Sequence, residues 1–234
     1  MKNVLKKSTI LSLSLLVVLA FSNCETVKNA NNKQKGTAIG VAGGAILGAI
    51  IGNNVGKGGN GEIGAVIGGV LGGTAGVLIG NKMDKQAKKI EEEVPGATVE
   101  RVEDGIVVTF DENSGVYFNT NKSDINSKSQ TTLNKLASVF AEFSDTNILV
   151  VGHTDSAGKE GYNMTLSKER AYSVTNYLKD KGLSPERFTT HWFGETQPKY
   201  DNNTADGRSK NRRVNVAIVP NEKMKEDAKM DAKN

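Results

Sequence analysis

The chain has 234 residues, of which 37% are hydrophobic and 24% are charged, and it contains one cysteine. This composition suits one sizeable domain with additional segments, and it excludes a collagen, a disulfide-stabilised scaffold and a wholly disordered chain. The formal charge of +4 points to an anionic partner, but Lys2, Lys6 and Lys7 precede the first acidic residue. Without these three lysines the positive excess falls to one, so the composition gives no support for nucleic-acid binding.

Residues 1–23 have the three parts of a secretion signal: a basic start, an apolar run from Ile10 to Phe21 and a short polar exit. We therefore predict a signal peptide. The only cysteine, Cys24, follows directly, where a lipoprotein signal places its acylated residue. Phe21 and Asn23 depart from the usual residues before that cysteine, so a plain cleaved signal or an uncleaved anchor is the alternative. We expect lipidation at Cys24 and membrane attachment through it.

A polar spacer over residues 24–35 precedes residues 36–80, which hold 17 of the 26 glycines. On a helix, glycine at every fourth position forms a stripe along one face, and such stripes allow backbones to approach closely. We predict a glycine-zipper helical hairpin that either associates with a membrane or packs on itself or on other copies of the chain. The repeating glycines are Gly36, Gly40, Gly44, Gly48, Gly52 and Gly56, then Gly64, Gly68, Gly72, Gly76 and Gly80.

A solvated, charged helical linker is predicted over residues 81–96, because it ends at a Pro-Gly breaker. Strand and helix patterns alternate over residues 97–220, which predicts one mixed-sheet domain, and residues 221–234 are predicted to be a frayed polar tail. The strand patterns cover 106–110, 116–118, 148–151, 188–193 and 214–219, and the helical patterns cover 133–143 and 163–181.

Five short motifs recur in a fixed order along residues 106–219. They are VYFNTNKS at 116–123, GHTD at 152–155, YN, LS and RA between 162 and 171, GE before a proline at 194–198, and GR with NRRV between 207 and 214. With these motifs the chain closely resembles the OmpA-like, peptidoglycan-associating domain family. The whole arrangement is similar to YiaD-type glycine-zipper envelope lipoproteins.

The resemblance implies an α+β fold, with a βαβαβ-type mixed sheet and helices on one face, preceded by the glycine-zipper hairpin. It also implies non-covalent binding of the diaminopimelate of peptidoglycan stem peptides by an outer-membrane lipoprotein whose wall-binding domain faces the periplasm. Ala157 stands where some members carry a hydroxyl residue, so one minor contact is expected to be absent. The implied ligand-binding residues are the central pair Asp155 and Arg170, surrounded by Asn121, Asn163 and Arg212.

The chemistry of this pair fits the implied ligand. Diaminopimelate carries an ammonium and a carboxylate on one carbon. Asp155 can accept hydrogen bonds from the ammonium, and Arg170 can hold the carboxylate with two parallel N–H bonds. Taken alone, the same two residues are also consistent with a structural ion pair.

Catalysis has little support in this sequence. With only His153, His191 and one cysteine, the chain offers neither a Ser-His-Asp triad nor a zinc site. Glu195 and Asp206 are the candidates for the second carboxylate that sugar hydrolysis requires. We predict a binding protein without a cofactor or metal, which tethers the outer membrane to the cell wall. The alternative is a self-assembling glycine-zipper membrane protein, an oligomer or pore, that its wall-binding domain only localises.

Overall fold

The computed structural model describes residues 73–110, 115–119 and 121–233, so the predicted signal peptide, Cys24, the spacer and most of the glycine zipper lie outside the described residues. None of the helices in the described ranges combines the length and apolar character that a membrane crossing requires. The helices are α1 (Gly73–Glu93), α2 (Ser127–Glu142), α3 (Glu160–Asp180), α4 (Ala205–Asn211) and α5 (Glu222–Asp231). The strands are β1 (Thr98–Val102), β2 (Gly105–Phe110), β3 (Thr146–Gly152), β4 (Phe188–Trp192) and β5 (Val214–Pro220).

The five strands form one mixed sheet in the order β1-β2-β5-β3-β4, in which only β3 and β4 run parallel. In the middle of the sheet, Ile218 lies opposite Ile106 on one side and Ile148 on the other. Side chains alternate along a strand, so these three residues point to the same face. They belong to one hydrophobic core with the buried side chains of α1, α2, α3 and α5. The predicted α+β fold with a mixed sheet is therefore confirmed.

Short polar side chains define where two of the helices begin. The Asn126 side chain accepts a hydrogen bond from the Ser129 backbone N–H at the start of α2, and Asn221 accepts from the Met224 N–H at the start of α5. These caps satisfy N–H groups that have no partner within the helix. Both helices therefore start where the sequence supplies an asparagine.

The predicted strand at residues 116–118 is wrong, because this segment has no strand partner and lies against α2. The Tyr117 backbone N–H donates to Ser129 Oγ, and the Tyr117 carbonyl accepts from Asn126 Nδ2 and Ser129 Oγ. These side chains supply the hydrogen bonds that a neighbouring strand would have supplied. The segment thereby leads into the candidate site instead of extending the sheet.

The segments on either side of the predicted domain are also more ordered than their charge suggests. The predicted solvated linker is the second half of α1, a helix that begins before residue 80 and buries Met83 and Ile90. The predicted frayed tail forms α5, which buries Met224 and Ala228 and contacts α1. In both segments apolar residues recur at helical spacing, so one face packs on the core while the charges face outward. The prediction that the linker is helical agrees with α1 as far as Glu93, but the predictions that it is solvated and that the tail is frayed are wrong.

Candidate functional site

The candidate site lies beyond the C-terminal end of β3, where a cavity of about 330 Å³ opens. This volume is near the lower end of ordinary ligand pockets, roughly 300 to 1,000 Å³. The structure brings all five predicted ligand-binding residues to the wall of this cavity, and their contact with a ligand stays a prediction. These residues are Asn121, Asp155, Asn163, Arg170 and Arg212. The remaining wall residues are Phe118, Thr154, Ala157, Leu166 and Arg208.

Helix α3 supplies three of the wall residues, and two glycines allow it to approach the sheet. A Cβ atom on Gly152 would lie 2.2 Å from the Ser167 carbonyl oxygen, so only glycine fits there without moving the helix. Gly194, with a φ of 54°, donates its N–H to Ser167 Oγ at 2.9 Å, and its carbonyl accepts from the Thr154 N–H. The first half of α3 is thus held between the end of β3 and the loop after β4.

Arg170 is 4% exposed and fixes the loop that precedes α2. Its Nε donates to the Lys122 carbonyl at 3.0 Å and its Nη2 to the Asn119 carbonyl at 3.5 Å, while its guanidinium carbon lies 5.1 Å from the centre of the Phe118 ring. Because Nε is engaged by the backbone, a two-bond contact with a carboxylate has to use Nη1 and Nη2. In the same loop, the exposed Asn121 has a φ of 55°, a left-handed conformation that asparagine tolerates.

Asp155 is 7% exposed, and both of its carboxylate oxygens accept hydrogen bonds. Oδ1 accepts from the Ala157 N–H at 3.0 Å and Oδ2 from Arg212 Nη1 at 2.5 Å. The predicted central pair was Asp155 and Arg170, whereas in the structure Asp155 forms an ion pair with Arg212. A carboxylate has about four lone-pair positions, so Asp155 retains the capacity to accept from an ammonium in the cavity.

Asn163 is 2% exposed and holds the loop that carries Asp155. Its Nδ2 donates to the carbonyls of Asp155 and Ala157, at 3.3 and 3.0 Å, and to Glu195 Oε2. The side-chain amide therefore positions the acidic loop in addition to lining the cavity. Neither Glu195, which accepts from this amide, nor Asp206, which forms an ion pair with Lys210 in α4, is part of the cavity wall.

His153 lies fully buried behind the site, with its ring stacked on Phe193 at 5.7 Å between ring centres. Neither ring nitrogen has a hydrogen-bond partner in the described part of the chain. Burial lowers the pKa of His153 well below its usual value, and the nearby Arg213 and His191 lower it further. His153 is accordingly neutral at physiological pH. The described ranges hold no group of three or more His, Cys, Asp or Glu that could bind a metal ion.

Arg208 is a wall residue that was not predicted from the sequence. Arg208 lies half-buried in the last turn of α4, and its Nη1 donates to the Asn202 carbonyl at 2.8 Å. The sequence contained a usable signal, because residues four apart on a helix share a face and Arg212 follows Arg208 by four. A search for basic residues at this spacing would have identified both arginines.

The site segment and the N-terminal segment each match a known family. The model of the OmpA family matches residues 117–212, and the model of the YMGG-like Gly-zipper matches residues 1–84. The chain is 33% identical to the probable lipoprotein YiaD of Escherichia coli over 61% of this chain and 65% of YiaD, which is less than two thirds of that relative.

Two further similarities cover most of the compared protein. A solved structure, the cell wall anchor of the T6SS from Pseudomonas aeruginosa, superposes with a TM-score of 0.51 at 25% identity, over 59% of this chain and 96% of that chain. The peptidoglycan-associated lipoprotein of Buchnera aphidicola is 36% identical over 57% of this chain and 72% of that protein. Since its wall residues lie within the matched segment and a relative of this identity is covered over most of its length, the chain belongs to the OmpA family.

Proposed function

We propose that the cavity binds the diaminopimelate side chain of peptidoglycan stem peptides without covalent attachment. The observation that supports this most strongly is the burial of two opposite charges, Asp155 and Arg170, in the wall of one small cavity. Asp155 accepts hydrogen bonds from the ligand ammonium, and Arg170 holds the carboxylate on the same carbon. A cavity of about 330 Å³ has room for one amino-acid side chain and excludes the glycan strand.

The names of the similar proteins support this role. One relative is a peptidoglycan-associated lipoprotein, and one similar structure is a cell wall anchor. The chain then acts in the envelope as a lipoprotein of the outer membrane, attached through acylated Cys24, with the cavity on the periplasmic side. A single site of this kind binds weakly, and many membrane-attached copies facing a repeating polymer raise the overall affinity by multivalency.

This role is one of binding and not of catalysis. The two acids considered for hydrolysis, Glu195 and Asp206, lie outside the cavity wall, and the nearby histidine is buried behind it. The alternative, a self-assembling glycine-zipper protein, depends on residues outside the described ranges, and no observation on the described residues favours it.

The first test replaces the charge that faces the ligand ammonium. Asp155→Asn keeps the size of the side chain and removes its charge, so retention of the full chain on purified sacculi should fall about tenfold, since a hydrogen bond to a charged group contributes about 1.5 kcal/mol or more. Arg170→Ala should have a similar effect, and Arg170→Lys should restore binding only in part because it cannot form two parallel bonds.

The matched control is Asp180→Asn, which makes the same exchange at an exposed position at the end of α3. Its retention should equal that of the wild type. Melting temperatures measured without ligand separate a ligand contact from a structural ion pair. Loss of a ligand contact leaves the melting temperature unchanged, whereas loss of a structural ion pair lowers it. Unchanged retention in Asp155→Asn and Arg170→Ala, with both proteins folded, would rule out this site.

A further inference from the structure

The cavity wall carries more positive charge than one diaminopimelate end group can balance. Three arginines, Arg170, Arg208 and Arg212, line it together with a single acid, Asp155, and the other wall residues are neutral. If Glu195 behind the wall is included, an excess of one positive charge is left. A carbon that carries both an ammonium and a carboxylate has no net charge, so its binding leaves this excess in place.

Arg208 is the arginine that the proposed contacts do not use. Arg212 forms the ion pair with Asp155, and Arg170 is the proposed partner of the first carboxylate. The Arg208 guanidinium donates to one backbone carbonyl, that of Asn202, and within the described ranges no carboxylate forms an ion pair with it. A half-buried guanidinium at a cavity wall is suited to bind a carboxylate with charge-assisted hydrogen bonds.

We propose that Arg208 binds a second carboxylate of the same ligand, so that the site recognises two carboxylates and one ammonium. This inference rests on the proposed function. In a stem peptide that ends in diaminopimelate, the second carboxylate is the one at the peptide-bonded end of that residue. Its conversion to an amide removes the charge and leaves the excess on the wall unbalanced. The protein therefore distinguishes unmodified from amidated stem peptides.

The experiment compares two synthetic tripeptides, L-alanyl-γ-D-glutamyl-diaminopimelate with the peptide-bonded end as a carboxylate, and the same peptide with a carboxamide there. Binding to the detergent-solubilised full chain is measured by calorimetry. The wild type should bind the carboxylate peptide about tenfold more tightly, as expected for one charge-assisted hydrogen bond. Arg208→Gln should bind both peptides equally, with the affinity of the wild type for the amide.

Lys210→Gln is the matched control, because it removes one positive charge from the same helix at a residue that does not line the cavity. It should keep the tenfold preference. Equal binding of both peptides by the wild type, or a preference that persists in Arg208→Gln, would overturn this inference while the proposed function stands. If the wild type binds neither peptide, the proposed function fails and this inference fails with it.

Discussion

An arginine lies near each end of β3, and the two arginines have different surroundings. Near its start, all three guanidinium nitrogens of Arg187 donate to oxygens of Phe140, Phe143 and Thr146, at 2.8 to 3.1 Å. Beyond its end, Arg170 donates to loop carbonyls but also lines a cavity that contains an acid. A larger cavity, of about 450 Å³, touches Arg187 as well. Cavity size alone therefore does not distinguish the candidate site from the second cavity, whereas the surroundings of the two guanidinium groups differ.

The largest expected effect is at the site end of β3, where fold and binding depend on the same residue. Gly152→Ala places a Cβ atom 2.2 Å from the backbone oxygen of Ser167, so α3 has to move away from the sheet. We expect a loss of about 3 kcal/mol in the free energy of unfolding and a loss of sacculus retention, because three wall residues move with α3. Denaturant unfolding and sacculus binding measure the two effects.

Gly161→Ala is the control for this substitution, since it lies on α3 with no atom within 4 Å of the added Cβ. It should leave both stability and retention close to those of the wild type. A Gly152→Ala protein with wild-type stability would show that α3 does not depend on this close approach.

Near the start of β3, at Arg187, we expect an effect on stability without an effect on binding. Arg187→Met keeps much of the side-chain length and leaves the carbonyls at the end of α2 without their donor. The free energy of unfolding should fall by about 2 kcal/mol and the melting temperature by roughly 6 °C. Retention on sacculi below the melting temperature should be unchanged.

The exposed Lys135→Met, on α2, controls for the loss of a positive charge and should change neither quantity. Reduced retention in folded Arg187→Met would contradict the contrast between the two ends of β3, because it would give Arg187 a role in binding.

The smallest expected effect is a pH dependence of stability from His153 at the site end. Its pKa in the folded protein is lowered by burial, so the unfolded chain, with a pKa of about 6.5, binds the proton more tightly. The contribution of neutral His153 to the free energy of unfolding is complete above pH 6.5. It is lost as the pH falls below that value, by about 1.4 kcal/mol per pH unit. Melting temperatures between pH 7.5 and 5.5 measure this slope. His153→Phe should flatten it, and an identical slope in the variant would assign the effect to other groups.

Much of the sheet could be predicted because its strands are continuous apolar runs. The predicted strands at residues 106–110, 148–151 and 214–219 lie within β2, β3 and β5, which form the centre of the sheet. Strand β1 was missed, since Thr98–Val102 has only two apolar residues and pairs with β2 alone. An edge strand depends more on its neighbour than on its own composition.

In the candidate site, too, some features could be predicted from the sequence and others could not. The motifs named five residues that the structure places around one cavity. Asp155 follows the end of β3, and Asn163 and Arg170 lie seven positions apart on α3, whereas Asn121 and Arg212 lie in the segments that lead into α2 and β5. The order of charges around that cavity was not predictable. Asp155 pairs with Arg212, 57 positions away in sequence, and no local pattern records which oppositely charged residues meet across such a separation.

The sequence by itself determined the segments with strong periodic patterns, the family resemblance and the residue types that a zwitterionic ligand requires. Only the tertiary structure decided which charge faces which, and whether the polar segments on either side of the domain pack on it. Helices α1 and α5 illustrate the reason. Each has a narrow apolar stripe among many charges, and such a stripe is stable in a helix only when another element covers it. Part of that cover is the contact between α1 and α5, which lie more than a hundred positions apart, and no local pattern records such a contact.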